Sequence, residues 1–507
     1  MSRLTLSVGE PIRRPHITRP DLTFMNRHAR YFSVPPFGGG GQSLLTLCLV
    51  ALLTGCTMAP DYQRPEAPVS KQWPTQSSTN GAQAGKAAVD IGWQEMFADP
   101  KLRQVIQLAL SHNRDLRIAA LNIEKAQAQY RIQRADLLPS VNVNGSSSAQ
   151  RTPASVSYTG VGGVTRSYNL DVGISSYELD LFGRIRSLKE EALQSYLSAD
   201  ATRRATHISL ISEVAGSYLA LAADQDLQHL AHETLRSRQK AYDLQRNLHA
   251  VGKSSQLELR QSEGELENAR DQALSADKQV EIDRNALELL AGTPLPEALL
   301  PSPGAVGGLL GVNDLPPGLP SDLLRNRPDI QAAEHDLLGA NADIGAARAA
   351  FFPTISLTAS LGRASNELSG LFDSGGRSWN FSPQITLPLF SGGRLLAQLE
   401  SSKVEREIAV AEYEKSIQTA FKEVADALAD HHVVGEQLAA QRRRTDAAQA
   451  AYTLVRLQYE NDTASYLEVL DAQRTLYAAQ QSLIQAGQAQ QSGMITLYKV
   501  LGGGWSQ

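Results

Sequence analysis

Residues 134–145 of this 507-residue chain read RADLLPSVNVNG, and the pattern changes at Pro139. Before the proline the residues indicate a helix, and after it valine alternates with asparagine, as in a strand. A similar stretch, RAAFFPTISLTA, recurs at 348–359. The distance between the two is far longer than a solenoid repeat, so the sequence predicts a duplicated unit. Proline suits such a junction because it ends helices and disfavours helical geometry in the residue before it.

Composition narrows the class of protein. The formal net charge is -5 and charged residues make up 20% of the chain, which argues against a large nucleic-acid-binding surface. No apolar run approaches the roughly 20 residues of a membrane-spanning helix. The only two cysteines are Cys48 and Cys56. A disulfide framework is therefore excluded if either is removed or modified.

The stretch SLLTLCLVALLTGC at 43–56 is typical of the apolar core of a signal peptide. Its last four residues, LTGC, resemble a bacterial lipoprotein box, in which Cys56 becomes the lipid-bearing first residue of the mature chain. The alternative is an ordinary cleaved signal or a buried cysteine. Residues 1–55 are interpreted as the signal peptide, with Met25 as an alternative start. Residues 56–90 are rich in Pro, Ser, Gly and Gln, which predicts an extended arm.

Long helices are predicted in both halves, because apolar residues step by three and four as in a coiled coil. These residues are Ile208, Ile211, Ala215, Tyr218 and Ala222 in the first half and Ile417, Phe421, Val424 and Leu428 in the second. A helix from Arg184 to Ala250 would run roughly 100 Å at about 1.5 Å per residue. Such a rod fits either an elongated coiled-coil spacer or the wall of a long conduit.

Each half also contains a predicted helix hairpin. The stretches VGKSSQLEL at 251–259 and NDTASYLEV at 461–469 each place a serine three residues before a glutamate. Serine at the N-cap and glutamate at the third helical position form a capping box, which satisfies free backbone amides. The hairpin caps are therefore Ser255 with Glu258, and Ser465 with Glu468.

Strands are predicted after each proline junction. The stretch SWNFSPQITLPLF at 378–390 alternates throughout. Its apolar face contains Trp379, Phe381, Ile385, Leu387 and Leu389. The stretch RSYNLDVGISSYELDLFG at 166–183 alternates and then shifts phase before Tyr177, Leu179 and Leu181, as a β-bulge would cause. With 140–150 and 354–363 there are two strand pairs, each strand long enough to cross a bilayer when tilted. Water-exposed hairpins packed on the helices are the alternative.

Four strands cannot span a membrane alone, since lipid offers no partner for open edge amides. Outer-membrane barrels have at least about eight strands. If these strands cross a membrane, the chain must therefore pool them with copies of itself.

Seven motifs, in order along the chain, together resemble the TolC family of outer-membrane efflux channels, specifically its OprM-like lipoprotein branch. They are GWQEMFADPKL (92–102), YELDLFGRIRS (177–187), LPSDLLRNRPDI (319–330), RAAFFPTISL (348–357), PLFSGGR (388–394), YLEVLDAQRTLY (466–477) and LYKVLGGGW (497–505). The resemblance covers nearly all of the chain after Cys56.

The resemblance implies a mixed α/β membrane protein and a homotrimer. Long antiparallel helices would form a coiled-coil barrel, and four strands per chain would form a shared 12-stranded outer-membrane β-barrel. The internal two-fold repeat would comprise 91–291 and 321–501, each helix–strand–strand–helix. A Pro/Gly-rich linker at 292–320 would join them, and 502–507 would form a C-terminal tail.

Matching the family motif by motif implies a periplasmic gate near the second hairpin, formed by Tyr459, Leu467, Glu468 and Asp471. In a trimer each side chain becomes a ring, so acidic rings would attract cations and a leucine ring would narrow the pore. The alternatives are a coiled-coil core for Leu467, a cap for Glu468 and a solvated helix face for Asp471. Ala464 stands where some relatives carry a gate arginine, so a salt-bridge ladder built on that arginine is not expected.

The function implied is a passive outer-membrane exit duct in a tripartite efflux system, lipid-anchored with a long periplasmic extension. Its partners would be a periplasmic adaptor protein, an inner-membrane pump of the resistance–nodulation–division type and outer-membrane lipid. No cofactor, metal, nucleic acid or enzymatic activity is expected, and the histidines at 229, 232, 431 and 432 fit a solvated helix surface. The alternatives are a lipid-anchored periplasmic scaffold without a pore and a surface-bound enzyme. The exported cargo is not identified by the sequence.

Overall fold

The computed structural model describes residues 57–73, 86–158, 160–312, 315, 316, 318 and 320–505. These residues belong to one compact unit, Gly55–Gln507. Its α-helices are α1 (Trp93–Met96), α2 (Pro100–His112), α3 (Arg114–Ala135), α4 (Arg184–Ala250), α5 (Gln256–Ala291), α6 (Pro320–Asn326), α7 (Pro328–Ala349), α8 (Arg394–Glu460) and α9 (Tyr466–Val500). Its strands are β1 (Val141–Thr152), β2 (Gly163–Leu179), β3 (Thr354–Ser365) and β4 (Arg377–Thr386).

The two long helices, α4 and α8, each have 67 residues. Each begins after a glycine in the left-handed region, Gly183 with φ 77° and Gly393 with φ 86°. Each then turns back, α4 into α5 and α8 into α9, as antiparallel hairpins. The predicted helix from Arg184 to Ala250 has the observed bounds of α4. None of the helices in the described part of the chain is both long and apolar enough to cross a membrane.

The strands form one antiparallel sheet in the order β1-β2-β3-β4. Strands from both halves of the chain therefore belong to the same sheet, through pairing of β2 with β3. The predicted bulge lies in β2, where the register shifts between Ile174 and Tyr177. Ser176 inside this bulge has a φ of 51°. One face carries exposed apolar side chains, and Trp379, Phe381 and Ile385 of β4 are each at least 60% exposed.

Two predicted strands are shorter than expected. Strand β4 ends at Thr386, so Leu387 and Leu389 do not belong to its apolar face. The reason is that Thr386 pairs with Thr354, the first residue of β3, so no partner remains beyond it. Pro388 also lacks the amide N–H that a strand ladder requires. Leu181 likewise follows the end of β2 at Leu179.

The main hydrophobic core lies around the middle of the long helices, where α2, α4, α8, the end of α9 and the linker meet. All five apolar positions predicted in α4 are buried, and so are Ile417 and Val424 in α8. Tyr498 of α9 is fully buried, packs edge-on against Phe97 and donates to the carbonyl of Ile91 at 2.6 Å. The core thus joins the two halves of the chain near the middle of the long helices.

Candidate functional site

The candidate site is the pair of turns that close the hairpins α4–α5 and α8–α9. Gly252 in the first turn has a φ of 73°, and Asp462 in the second has a φ of 57°. Glycine adopts this left-handed conformation freely and aspartate tolerates it, which explains how both turns reverse the chain within a few residues.

Both capping boxes are present at these turns. Ser255 accepts a hydrogen bond from the backbone of Glu258, and Ser465 does the same for Glu468. In return, the backbone amides of the serines donate to the glutamate carboxylates, at 2.8 Å and 2.6 Å. These backbone hydrogen bonds hold the pKa of both carboxyl groups below the usual range. Glu468 is therefore a charged group that is committed to the cap.

Tyr459, at the end of α8, connects the two hairpins. Its hydroxyl accepts a hydrogen bond from Nε2 of Gln245 on α4 at 2.8 Å. Its ring lies 5.7 Å from the ring of Tyr466, which is buried at the start of α9. Burial raises the pKa of Tyr466, so its hydroxyl stays neutral. Tyr459 therefore holds the end of the second hairpin against the first.

Leu467 and Asp471 lie one helical turn apart on α9 and both are exposed. Leu467 is 57% exposed, which is a large fraction for a leucine. The helices of its own chain therefore leave the side chain of Leu467 uncovered. The structure thus places the four residues in two groups: Leu467 and Asp471 are exposed, and Tyr459 and Glu468 make contacts that shape the turn.

The sequence did not reveal a charged cluster behind this face. Oε1 of Glu265 on α5 accepts hydrogen bonds from Nε and Nη2 of Arg474 on α9, and the Nε–Oε1 distance is 3.0 Å. Glu265 and Arg238 of α4 are both buried, and their closest charged atoms are 3.8 Å apart. In the sequence, the feature that could have revealed this cluster is Glu265 itself, a glutamate among the mostly small residues that α5 buries. A charge among buried positions requires a partner.

Cys56 lies outside the described residues, but the arm that follows it is described from residue 57. The arm runs along α7 towards the core. The carbonyl of Met58 accepts from Arg348 at 3.1 Å, and that of Pro60 accepts from Asn341 at 2.8 Å. Further along, Trp73 stacks on Phe421 at 4.9 Å. The upstream end of the arm is therefore next to the end of α7 that leads into β3.

A family profile described as Outer membrane efflux protein matches residues 105–293 and 319–503. The chain belongs to this family, and it is an outer-membrane efflux channel. These findings confirm the resemblance and the location in the outer membrane, and they do not favour the scaffold without a pore. The family is one of passive channels rather than a known class of enzyme.

Individual relatives agree. The chain is 48% identical over 466 residues to the toluene efflux pump outer membrane protein TtgC and to the antibiotic efflux pump outer membrane protein ArpC, both of Pseudomonas putida. Each alignment covers 92% of this chain and 96% of the relative. The open state of the Neisseria gonorrhoeae MtrE outer membrane channel superposes with a TM-score of 0.80 at 39% identity, over 89% of this chain and 99% of that one. The fold class predicted from the sequence is therefore confirmed.

Proposed function

We propose that three copies of the chain form the passive exit duct of a tripartite efflux system. The observation that carries this proposal is the open sheet, in which β1 and β4 each have one edge without a partner strand in the described chain. Lipid cannot satisfy such edges, so the sheet must close with neighbours. Three copies contribute twelve strands, which exceeds the minimum of about eight for an outer-membrane barrel.

The partners proposed are a periplasmic adaptor protein and an inner-membrane pump of the resistance–nodulation–division type. The pump would supply the energy, and the chain would act without cofactor or catalysis. Because the relatives are named for toluene and antibiotic efflux, we propose small organic molecules of these classes as cargo. A wide aqueous duct discriminates little among them.

The proposed chain organisation follows the duplicated sequence. It comprises a signal peptide (1–55), an arm (56–90), a first repeat (91–291), a linker (292–320), a second repeat (321–501) and a short tail (502–507). The arm would start at Cys56 as a lipid-bearing residue. Its support is the contact of Met58 with Arg348, five residues before the proline that precedes β3. Two residues span at most about 7 Å, so a lipid on Cys56 would lie close to the membrane strands.

The proposed gate consists of Leu467 and Asp471 from each chain, arranged as rings around the channel axis. Tyr459 and Glu468 would act by holding the turn, through the bond to Gln245 and through the cap. An apolar ring narrows and dewets a pore, and an acidic ring binds cations. This division of roles follows from which side chains are exposed and which form hydrogen bonds within the chain.

The gate is tested by conductance in planar bilayers. Leu467→Ala and Asp471→Ala, separately and together, are expected to raise single-channel conductance, because they widen the constriction and remove the acidic ring. The matched control is Leu257→Ala, since Leu257 also follows its capping serine by two residues and is 67% exposed, but lies on the first hairpin. Unchanged conductance in all gate variants, or an equal rise in the control, would count against the assignment. Absence of any channel in the wild type would reject the duct itself.

A further inference from the structure

A cavity of about 190 Å³ lies between α4, α5 and α9, above the second turn. Its charged lining consists of Arg238, Glu265 and Arg474. The amide side chains of Asn268, Gln272 and Gln481 also line it. Two cations thus face one anion in a partly open polar space between the two hairpins.

The charges in this cavity are not balanced. Oε1 of Glu265 already accepts hydrogen bonds from Arg474. Nη2 of Arg238 stays 3.8 Å from Oε2, which is beyond hydrogen-bond distance. Nη1 of Arg238 is buried and has no hydrogen-bond partner among the residues that the structure describes. A buried guanidinium with an unpaired donor is costly, and a bound water or ion is one of the ways in which native proteins satisfy such a group.

The burial of Arg238 is consistent with a guanidinium whose Nη1 lacks a hydrogen-bond partner among the described residues. Arg238 is only 6% exposed, although a guanidinium is rarely buried without a partner. Its desolvation lowers the pKa of the guanidinium, despite the nearby carboxylate of Glu265. Arginine and amide donors around one small cavity match the oxygens of a planar or tetrahedral anion. The volume is below the roughly 300 Å³ of pockets for drug-sized molecules, so a single small group fits better than cargo.

We propose that this cavity binds a small oxyanion, a carboxylate or a phosphate group, with Arg238 as its principal ligand. The bound anion competes with Glu265 for Arg474, whose side chain is 58% exposed. Release of Arg474 removes a charged contact between α9 and the first hairpin. The consequence of this release for the proposed gate rests on the proposed function, whereas the binding of the anion does not.

Binding is tested by isothermal titration of the purified full-length protein in detergent with sodium phosphate and, separately, sodium acetate, at constant ionic strength. One site per chain is expected. Arg238→Gln should weaken binding by about tenfold or more, because a charge-assisted donor is lost. The matched control is Arg246→Gln on the same helix, since Arg246 is 61% exposed and does not line the cavity; its binding should match the wild type.

Glu265→Gln gives the opposite expectation and remains informative if Arg238→Gln does not fold. Removing the competing carboxylate frees Arg474 for the anion, so binding should tighten several-fold. The better-bound of the two anions identifies the preferred group. Absence of phosphate and acetate binding to the wild type, or equal binding by wild type and Arg238→Gln, would overturn the site.

The competition for Arg474 has a separate readout. Spin labels on Lys253→Cys and Thr463→Cys, one in each turn, report the distance between the hairpins. Phosphate should lengthen or broaden this distance in the otherwise wild-type protein and leave it unchanged with Arg238→Gln. Binding without any change in distance would overturn the competition. Neither measurement depends on conductance, so failure here is distinguishable from failure of the duct.

Discussion

Asp224 of α4 and Asp283 of α5 face each other across the first hairpin, and both are half-buried. Burial, a hydrogen bond from one carboxyl to the other and the charge of Asp283 raise the pKa of Asp224 to about 7. Gln279 donates to Oδ1 of Asp283 at 2.9 Å, and Oδ2 is buried with no donor among the described residues other than a protonated carboxyl of Asp224. A proton held between the carboxyl groups satisfies that oxygen, so the pair is stable with one charge and repels with two.

This pair predicts a pH dependence of stability. In the unfolded chain Asp224 loses its proton near pH 3.8, and in the folded chain only near pH 7. The folded state binds more protons over that window, so stability falls as pH rises from about 4 to 7. Asp224→Asn should remove the loss, raising the midpoint of thermal unfolding at pH 8 with less effect at pH 4. Circular dichroism melting curves measure it, and Asp271→Asn, at an exposed site on α5, is the control. An identical pH profile in Asp224→Asn and wild type would contradict the prediction.

At the scale of elements, the capping boxes fix where α5 and α9 begin. Ser465→Ala should destabilise the first turn of α9 by about 1 kcal/mol, because it removes the acceptor for the amide of Glu468. Hydrogen exchange of residues 466–470 measures this local loss. Ser255→Ala is the matched variant and should increase exchange only at the start of α5. Equal loosening of both hairpins by either variant would show that the tips are not independent.

The sheet requires glycine where strands approach closely. A Cβ on Gly362 would lie 2.3 Å from the carbonyl oxygen of Leu170, and a Cβ on Gly145 would lie 3.8 Å from the side chain of the same leucine. Gly362→Ala should therefore separate β3 from β2 and lower the yield of assembled protein in outer-membrane fractions. Gly145→Ala, in ordinary contact, is the control and should assemble normally. The amount of native oligomer on semi-denaturing gels gives the comparison, and normal assembly of Gly362→Ala would be the contrary result.

At the scale of the whole molecule, the apolar face of the sheet and its two open edges cannot both remain in water. The mature protein should have the mass of three chains in detergent and should precipitate when the detergent is removed. Native mass spectrometry and light scattering measure these properties. A monomer that remains soluble without detergent would contradict both the trimer and the membrane assignment of the strands.

Much of the fold was predictable because its signals are local. Heptad spacing specified the helix from Arg184 to Ala250, and serine–glutamate pairs specified the hairpin caps. The shortened β4 shows where local patterns fail, since alternation continues to Leu389 in sequence while pairing ends at Thr386 with the last available partner. A strand's length depends on its neighbour, which is remote in the chain.

The sequence by itself determined the duplicated helix–strand–strand–helix plan, the capped turns and the family, because periodicity, caps and motifs depend on residues close together in the chain. Only the tertiary structure decided that Arg238 and Arg474 share Glu265, that Asp224 faces Asp283 and that Tyr459 bonds to Gln245. These partners lie on different helices. Antiparallel packing determines which helical turns of two helices lie side by side. A small shift in that register changes every side-chain pair between the helices.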